Sequence, residues 1–296
     1  MEPGISSRRT LQTAVLVAGV ITASCAADLA APRLGPQATR ELSAPAVLYG
    51  HELTLHLASP MEPRDSRSPL ILYASGDGGW FGAAVRMYRT IAESRLSVVG
   101  FSAKAFMDIA QSRRGPVTAA HIAEAYQTII DTALRTLRLP DDLPVVLTGW
   151  SRGASLAVVV AAHRPLDLRV RGVVAMGLAA DEHLDVTGDT DDDRAPSGTS
   201  LAVAPVRPGA IDVYSLLSQI APRRCAVIQA SHDGYLPAER ARVLFGPDSD
   251  VKQLVAVDAR NHRFDGGEAA FVEALRRSIG WVSMAGEAPG TEPWSH

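Results

Sequence analysis

The sequence predicts one α/β domain, built on a mostly parallel β-sheet with helices on both faces. Three observations predict it. Short, continuous apolar runs recur along the chain, stretches of helical spacing lie between them, and 296 residues suit one large α/β domain better than two small ones. A strand covered on both faces reads apolar throughout, whereas a half-exposed strand alternates. Hydrophobic residues make up 47% of the chain and aromatics only 5%, so Val, Leu, Ile and Ala must fill the core. A net charge of −3 gives no reason to expect nucleic acid as a partner.

The elements follow in order. Residues 47–57 read as a first strand, and Leu70-Ile71-Leu72-Tyr73-Ala74 as a buried one. Residues 83–95 have helical spacing, with Val85, Tyr88 and Ile91 on one face. Residues 96–101 form the next strand. A long helix covers 117–137, where Ile122, Tyr126, Ile129, Ile130 and Leu134 lie near one stripe. Residues 144–148 are a further apolar strand, followed by a helix over 154–162 whose valines are not ideal helix formers. Strands at 170–176, 225–230 and 251–257 and a closing helix at 271–282 complete the domain, and no internal repeat is visible.

The ends read differently. Arg8 and Arg9 precede an apolar run, Leu11 to Ala23, and then the small-residue zone Ala23-Ser24-Cys25-Ala26-Ala27. That is the layout of a secretory signal peptide over residues 1–27, so the protein is expected to be periplasmic or otherwise exported. Ser7-Arg8-Arg9-Thr10-Leu11 partly matches a twin-arginine signal, and Cys25 could serve as a lipoprotein anchor, so both variants stay open. Residues 28–45, rich in Ala, Pro and polar side chains, read as a linker. The domain then spans 46–284, and 285–296 reads as a disordered tail. Beyond the leader no stretch is long and apolar enough to span a bilayer. Once the leader is removed Cys225 is the sole cysteine, which leaves no intramolecular disulfide; in its apolar run it reads as a buried thiol.

The chemistry concentrates in Gly149-Trp150-Ser151-Arg152-Gly153, a G-x-S-x-G pattern directly after a buried strand and before a helix. In that context the pattern is a strained turn that lifts a serine hydroxyl above the sheet, the nucleophile elbow of α/β-hydrolase folds. A serine nucleophile needs a base, and the base an orienting acid, in the chain order Ser, Asp or Glu, His. Asp233 lies just past the strand 225–230, and His262 lies between the strand 251–257 and the last helix, so Ser151, Asp233 and His262 are the candidate triad. His232 and Asp258 are the nearest competitors, and Asp233 also has a rival reading as a helix cap. Two backbone N–H groups should face the oxyanion. Arg152, next to the nucleophile, supplies one. The other falls in the loop Ser75-Gly76-Asp77-Gly78-Gly79-Trp80, at Asp77 or Gly78; a P-loop lysine and hydroxyl are missing there. Asp181, Glu182, Asp185, Asp189 and Asp191–Asp193 form an acidic stretch that reads as a solvated loop, with a lid or a cation site as alternatives; EF-hand spacing is absent. No cofactor or metal is implied, and the sequence leaves the oligomeric state open.

These motifs resemble one family. Ser75-Gly76-Asp77-Gly78-Gly79-Trp80 is similar to the S-G-D-G-G-W loop of the VirJ/AcvB family of bacterial virulence proteins. Gly149-Trp150-Ser151-Arg152-Gly153-Ala154 resembles its G-Y-S-x-G-A elbow, with Trp150 in place of Tyr. Gly177-Leu178 and Asn261-His262-Arg263-Phe264-Asp265-Gly266 resemble its later loops, so the likeness covers roughly residues 47–282. The resemblance implies a periplasmic α/β-hydrolase, some of whose relatives cleave the lysyl ester of lysyl-phosphatidylglycerol. That implies a small-molecule or lipid ester as substrate, contact with a membrane surface, and a use for the acidic stretch against a cationic head group.

Overall fold

The computed structural model describes residues 39–61, 68–163, 169–184 and 209–284. The leader, residues 28–38 and the tail 285–296 lie outside the described residues. Eight strands form one sheet in the spatial order β1-β2-β4-β3-β5-β6-β9-β10. They are β1 (Thr39–Leu48), β2 (His51–Pro60), β3 (Leu70–Ala74), β4 (Ser97–Phe101), β5 (Val145–Trp150), β6 (Val170–Met176), β9 (Arg224–Ala230) and β10 (Lys252–Val257). From β4 to β10 every pairing is parallel, while β1 and β2 join antiparallel at one edge.

That edge corrects the sequence reading at two points. Residues 39–45 are not linker, and 47–57 is not one strand: β1 and β2 are a hairpin running in register from Thr39↔Pro60 to Leu48↔His51. The chain turns at Tyr49-Gly50, both at positive φ, as a two-residue hairpin loop requires. Leu42, Ala44, Ala46 and Leu48 point alternately into the core, and Pro45 is tolerated because β1 is an edge strand.

In the central strands the residues divide by parity between two cores. Leu70, Leu72, Val145, Leu147, Val173, Ala175, Cys225 and Val227 face one side. Ile71, Tyr73, Val146, Val174, Met176, Ala226 and Ile228 face the other. Both sides are covered, which is why these runs read apolar without a break. On the first side lie α2 (Ala103–Gln111), α3 (Ala119–Leu137), α4 (Arg152–Ala162) and α6 (Ala238–Phe245). On the second lie α1 (Ala83–Ala92) and α7 (Glu268–Ser283). Residues Gly153–Ala162 of α4 are all buried, because the helix is enclosed by the sheet, α3 and the short α5 (Val213–Leu216). Burying a Val or Leu side chain stabilises by about 1.5–3 kcal/mol, far more than the helix-propensity deficit of its valines.

A small ribbon, β7 (Asp181–Glu182) with β8 (Ile211–Asp212), follows β6. Among the described residues no helix is long and apolar enough to cross a membrane. The loops that follow β3, β5, β6, β9 and β10 all leave the C-terminal edge of the parallel strands, and all the candidate site residues lie in or just beyond them.

Candidate active site

The elbow is built by two glycines. A Cβ on Gly149 would lie 2.1 Å from Gly153 C, and one on Gly153 would lie 2.2 Å from Ala74 O. Only hydrogen atoms there let β5, α4 and β3 approach this closely. The turn places Ser151 at φ 57°, ψ −125°, a conformation that costs a non-glycine residue about 1–3 kcal/mol. Surrounding bonds hold it: Ser151 N–H donates to Met176 O at 2.9 Å, and Ala154 N–H to Ser151 O at 2.8 Å. Ser151 thus rides beside the end of β6.

His262 stands at the same strand end. A Cβ on Gly177, the residue after Met176, would lie 2.7 Å from His262 Cε1, so the imidazole rests on that glycine. Asn261 shapes the loop, its Oδ1 accepting from Arg263 N–H at 2.9 Å. Trp150 of the elbow donates Nε1–H to His262 O at 3.0 Å, tying the histidine loop to β5. The Trp150 and Tyr235 rings flank the imidazole at 5.4 and 4.9 Å between centroids.

Asp233 is fully buried, and its Oδ2 lies 2.7 Å from His262 Nδ1. A buried carboxylate must be partnered. Its Oδ1 accepts from Tyr235 N–H at 2.9 Å and Leu236 N–H at 3.4 Å, and its Oδ2 also accepts from Gln229 Nε2 at 3.2 Å. Gln229 is fixed in turn, accepting from Leu178 N–H at 3.0 Å and donating to Leu236 O at 2.6 Å. With Nδ1–H given to Asp233, His262 Nε2 is the basic nitrogen. It is buried and, among the described residues, has no hydrogen-bond partner, Ser151 Oγ included. Hydrogen bonds of this kind are commonly open without substrate. Asp233 is not the cap of α6, whose N-cap is Pro237; its bonds to the Tyr235 and Leu236 N–H groups close the turn that precedes that helix. The competitors His232 and Asp258 are exposed.

The loop after β3 packs against Ser151. A Cβ on Gly76 would sit 3.1 Å from Ser151 Cβ, so Gly76 packs directly against the serine. A Cβ on Gly78 would meet Phe81 instead. Ser75 N–H and Gly79 N–H are taken by Phe101 O and Gly76 O. Arg152 begins α4, where a first-turn N–H has no intrahelical acceptor.

Glu182 departs from the sequence reading. It is no solvated loop residue but is 5% exposed, with Oε1 accepting from Arg152 Nε at 3.1 Å and from His183 N–H at 3.1 Å. Burial pushes its carboxyl up to about 7, against the opposing pull of Arg152. Residues 185–193 of the acidic stretch lie outside the described residues. Among the described residues no group of three or more His, Cys, Asp or Glu could hold a metal ion. Cys225 is buried, its thiol pushed up to about 12 by desolvation. Sequence reasoning missed Gln229, Glu182 and the Trp150 tie; of these Gln229 had a signal, as the one amide in an apolar strand, four residues before Asp233.

A doubly wound parallel sheet with an antiparallel edge, a serine elbow after β5 and an Asp–His pair after β9 and β10 make this an α/β-hydrolase fold. Solved structures agree. The chain is similar to a dienelactone hydrolase from Anabaena variabilis (TM-score 0.53, 17% identity, 82% of this chain and 97% of that one). It is also similar to Est1E from Butyrivibrio proteoclasticus (0.54, 15%, 79% and 96%) and to the esterase domain of a Rhodothermus marinus protein (0.52, 18%, 82% and 100%). At these identities the likeness is one of fold. No family model matches the chain, and no curated protein matches it.

Proposed function

We propose that the protein is an exported serine ester hydrolase that works through an acyl-enzyme intermediate. The observation that carries the reading is the 2.7 Å contact between His262 Nδ1 and the buried Asp233, beside the strained Ser151 elbow. His262 Nε2 takes the Ser151 proton as Oγ attacks the ester carbonyl, then returns it to the leaving alcohol. Water, activated by the same nitrogen, releases the acid and frees the serine. Asp233 fixes the tautomer and stabilises the imidazolium. Backbone N–H groups of Arg152 and of the Asp77–Gly78 stretch receive the oxyanion. Similar structures that bear the names esterase and dienelactone hydrolase support ester cleavage as the class of reaction.

For the substrate, the motif resemblance to the VirJ/AcvB family supports an aminoacylated phospholipid such as lysyl-phosphatidylglycerol, met at a membrane surface. A general carboxylesterase is the second reading, favoured by the same esterase-named structures. Fluorophosphonate labelling of the mature protein should be strong, and lost in Ser151→Ala and His262→Ala. Equal labelling in all three, or none, would dismiss the triad. Lysine release from liposomes containing lysyl-phosphatidylglycerol supports the lipid substrate; rapid cleavage of short esters with no lysine release favours the carboxylesterase.

A further inference from the structure

The esterase chemistry does not use the side chain of Arg152, yet two carboxylates hold it. Its Nε meets Glu182 Oε1 at 3.1 Å, and its Nη1 meets Asp77 Oδ1 at 2.7 Å. One planar guanidinium thus spans two segments far apart in sequence: the ribbon strand β7 and the loop after β3 that lies over Ser151. A lysine ammonium is a single point charge and does not reproduce such a fork. With all three groups ionised the cluster carries a charge of −1, counted as one guanidinium against two carboxylates, so it is no seat for a substrate anion.

The loop over Ser151 needs a restraint. Its ends are anchored: Ser75 N–H donates to Phe101 O, Ser75 Oγ accepts from Ala103 N–H at 3.1 Å, and Trp80 stacks on His56 at 4.2 Å. Its middle contains Gly76, Gly78 and Gly79, the residues with the least intrinsic backbone stiffness. Asp77 sits among those glycines, and its bond to Arg152 ties the middle of the loop to the head of α4.

We propose that the Arg152 side chain, seated on buried Glu182, is a clamp that positions the loop after β3 over Ser151. Both halves of the oxyanion hole are then set by one residue, whose N–H is a donor and whose guanidinium fixes the other donor's loop. The catalytic consequence rests on the serine-hydrolase reading; the mechanical one does not. Arg152 and Asp77 act through their side chains as positioning residues. Because the Asp77 side chain is 58% exposed, its ion pair adds little to global stability, and its loss should register in the loop and in turnover rather than in unfolding.

The test uses the mature protein, Asp77→Ala, Arg152→Met and Arg152→Lys. Amide hydrogen exchange across residues 75–80 should rise about tenfold in Asp77→Ala and Arg152→Met, while α3 exchanges as before and Asp77→Ala unfolds at the wild-type midpoint. On a soluble p-nitrophenyl ester, kcat should fall about 10- to 100-fold with KM within about threefold, and Arg152→Lys should recover only part. Unchanged loop exchange in Asp77→Ala overturns the clamp whatever the activity, including the case in which Arg152→Met does not fold. Raised exchange with unchanged kcat overturns the positioning role. A wild-type protein inactive on every ester sinks the hydrolase reading alone, and the exchange data still decide the clamp.

Discussion

Asp233→Asn is the most informative single substitution, because the structure dictates where each hydrogen must go. The native carboxylate accepts four N–H groups: Tyr235 and Leu236 amides at Oδ1, and Gln229 Nε2 and His262 Nδ1 at Oδ2. Asparagine keeps one oxygen and presents an NH2. The backbone amides cannot rotate, so the oxygen stays with them and the NH2 faces Gln229 and His262. Gln229 cannot flip to accept it, since Leu178 N–H and Leu236 O hold its amide in the present sense. A buried donor facing a donor costs about 1–3 kcal/mol of stability. His262 can accept the new NH2 only through Nδ1, which moves its own hydrogen to Nε2 and removes the base. The same tautomer error in a serine protease costs about 10⁴ in kcat, or about 5 kcal/mol of barrier. Steady-state kinetics on a p-nitrophenyl ester and urea unfolding measure the two effects on one sample. An Asp233→Asn protein within tenfold of wild-type kcat would refute the assignment of Asp233 as the orienting acid.

Three further outcomes follow from the same geometry. Gly153→Ala should be destabilised by about 3 kcal/mol or fail to fold, since the methyl would meet the Ala74 and Ser75 carbonyls at 2.2 and 2.4 Å; a variant with wild-type urea midpoint would contradict the close packing of α4 on β3. Ser151→Gly should be more stable than Ser151→Ala by about 1 kcal/mol, because glycine relieves the positive φ, and a thermal melt ranking them the other way would show the elbow is unstrained. The raised Glu182 carboxyl, shaped by burial first, then Arg152 and Asp77, gives a signed pH effect. The folded state binds this proton more tightly, so stability falls as pH rises from 4.5 to about 7, by about 3 kcal/mol in total. Glu182→Gln lacks that slope, and should gain on wild type across this window; a constant stability difference from pH 4.5 to 8 would count against a buried, proton-holding Glu182.

Much of this molecule is legible because its strands are covered on both faces. Continuous runs such as Leu70–Ala74 and Val145–Leu147 mark parallel strands directly; Ser151 and Asp233 each follow such a run, and His262 follows the edge strand β10. Where the pattern was half-exposed, reading failed. Residues 39–45 look like linker because β1 is an edge strand whose outward residues are polar and which holds a proline. The helix α2 carries a signal in its sequence, since Ala103, Phe106, Met107 and Ala110 are buried at helical spacing behind the Ser102 cap, but its nine residues are too few for that period to stand out. The valines of α4 argue against a helix locally, and burial on every side outweighs them.

The sequence by itself determined the layered α/β architecture, the elbow and the chain order of the candidate triad, since these depend on residues close together in sequence and on the period of apolar side chains. Only the tertiary structure decided that Asp233 rather than Asp258 meets His262, that Gln229 braces it, and that Glu182 lies buried under Arg152. The Asp233–His262 and Arg152–Glu182 contacts join residues brought together by strand order, and even the local Gln229–Asp233 bond depends on how the turn after β9 folds. A carboxylate in a charged run reads as solvated until the fold supplies the guanidinium that makes its burial possible.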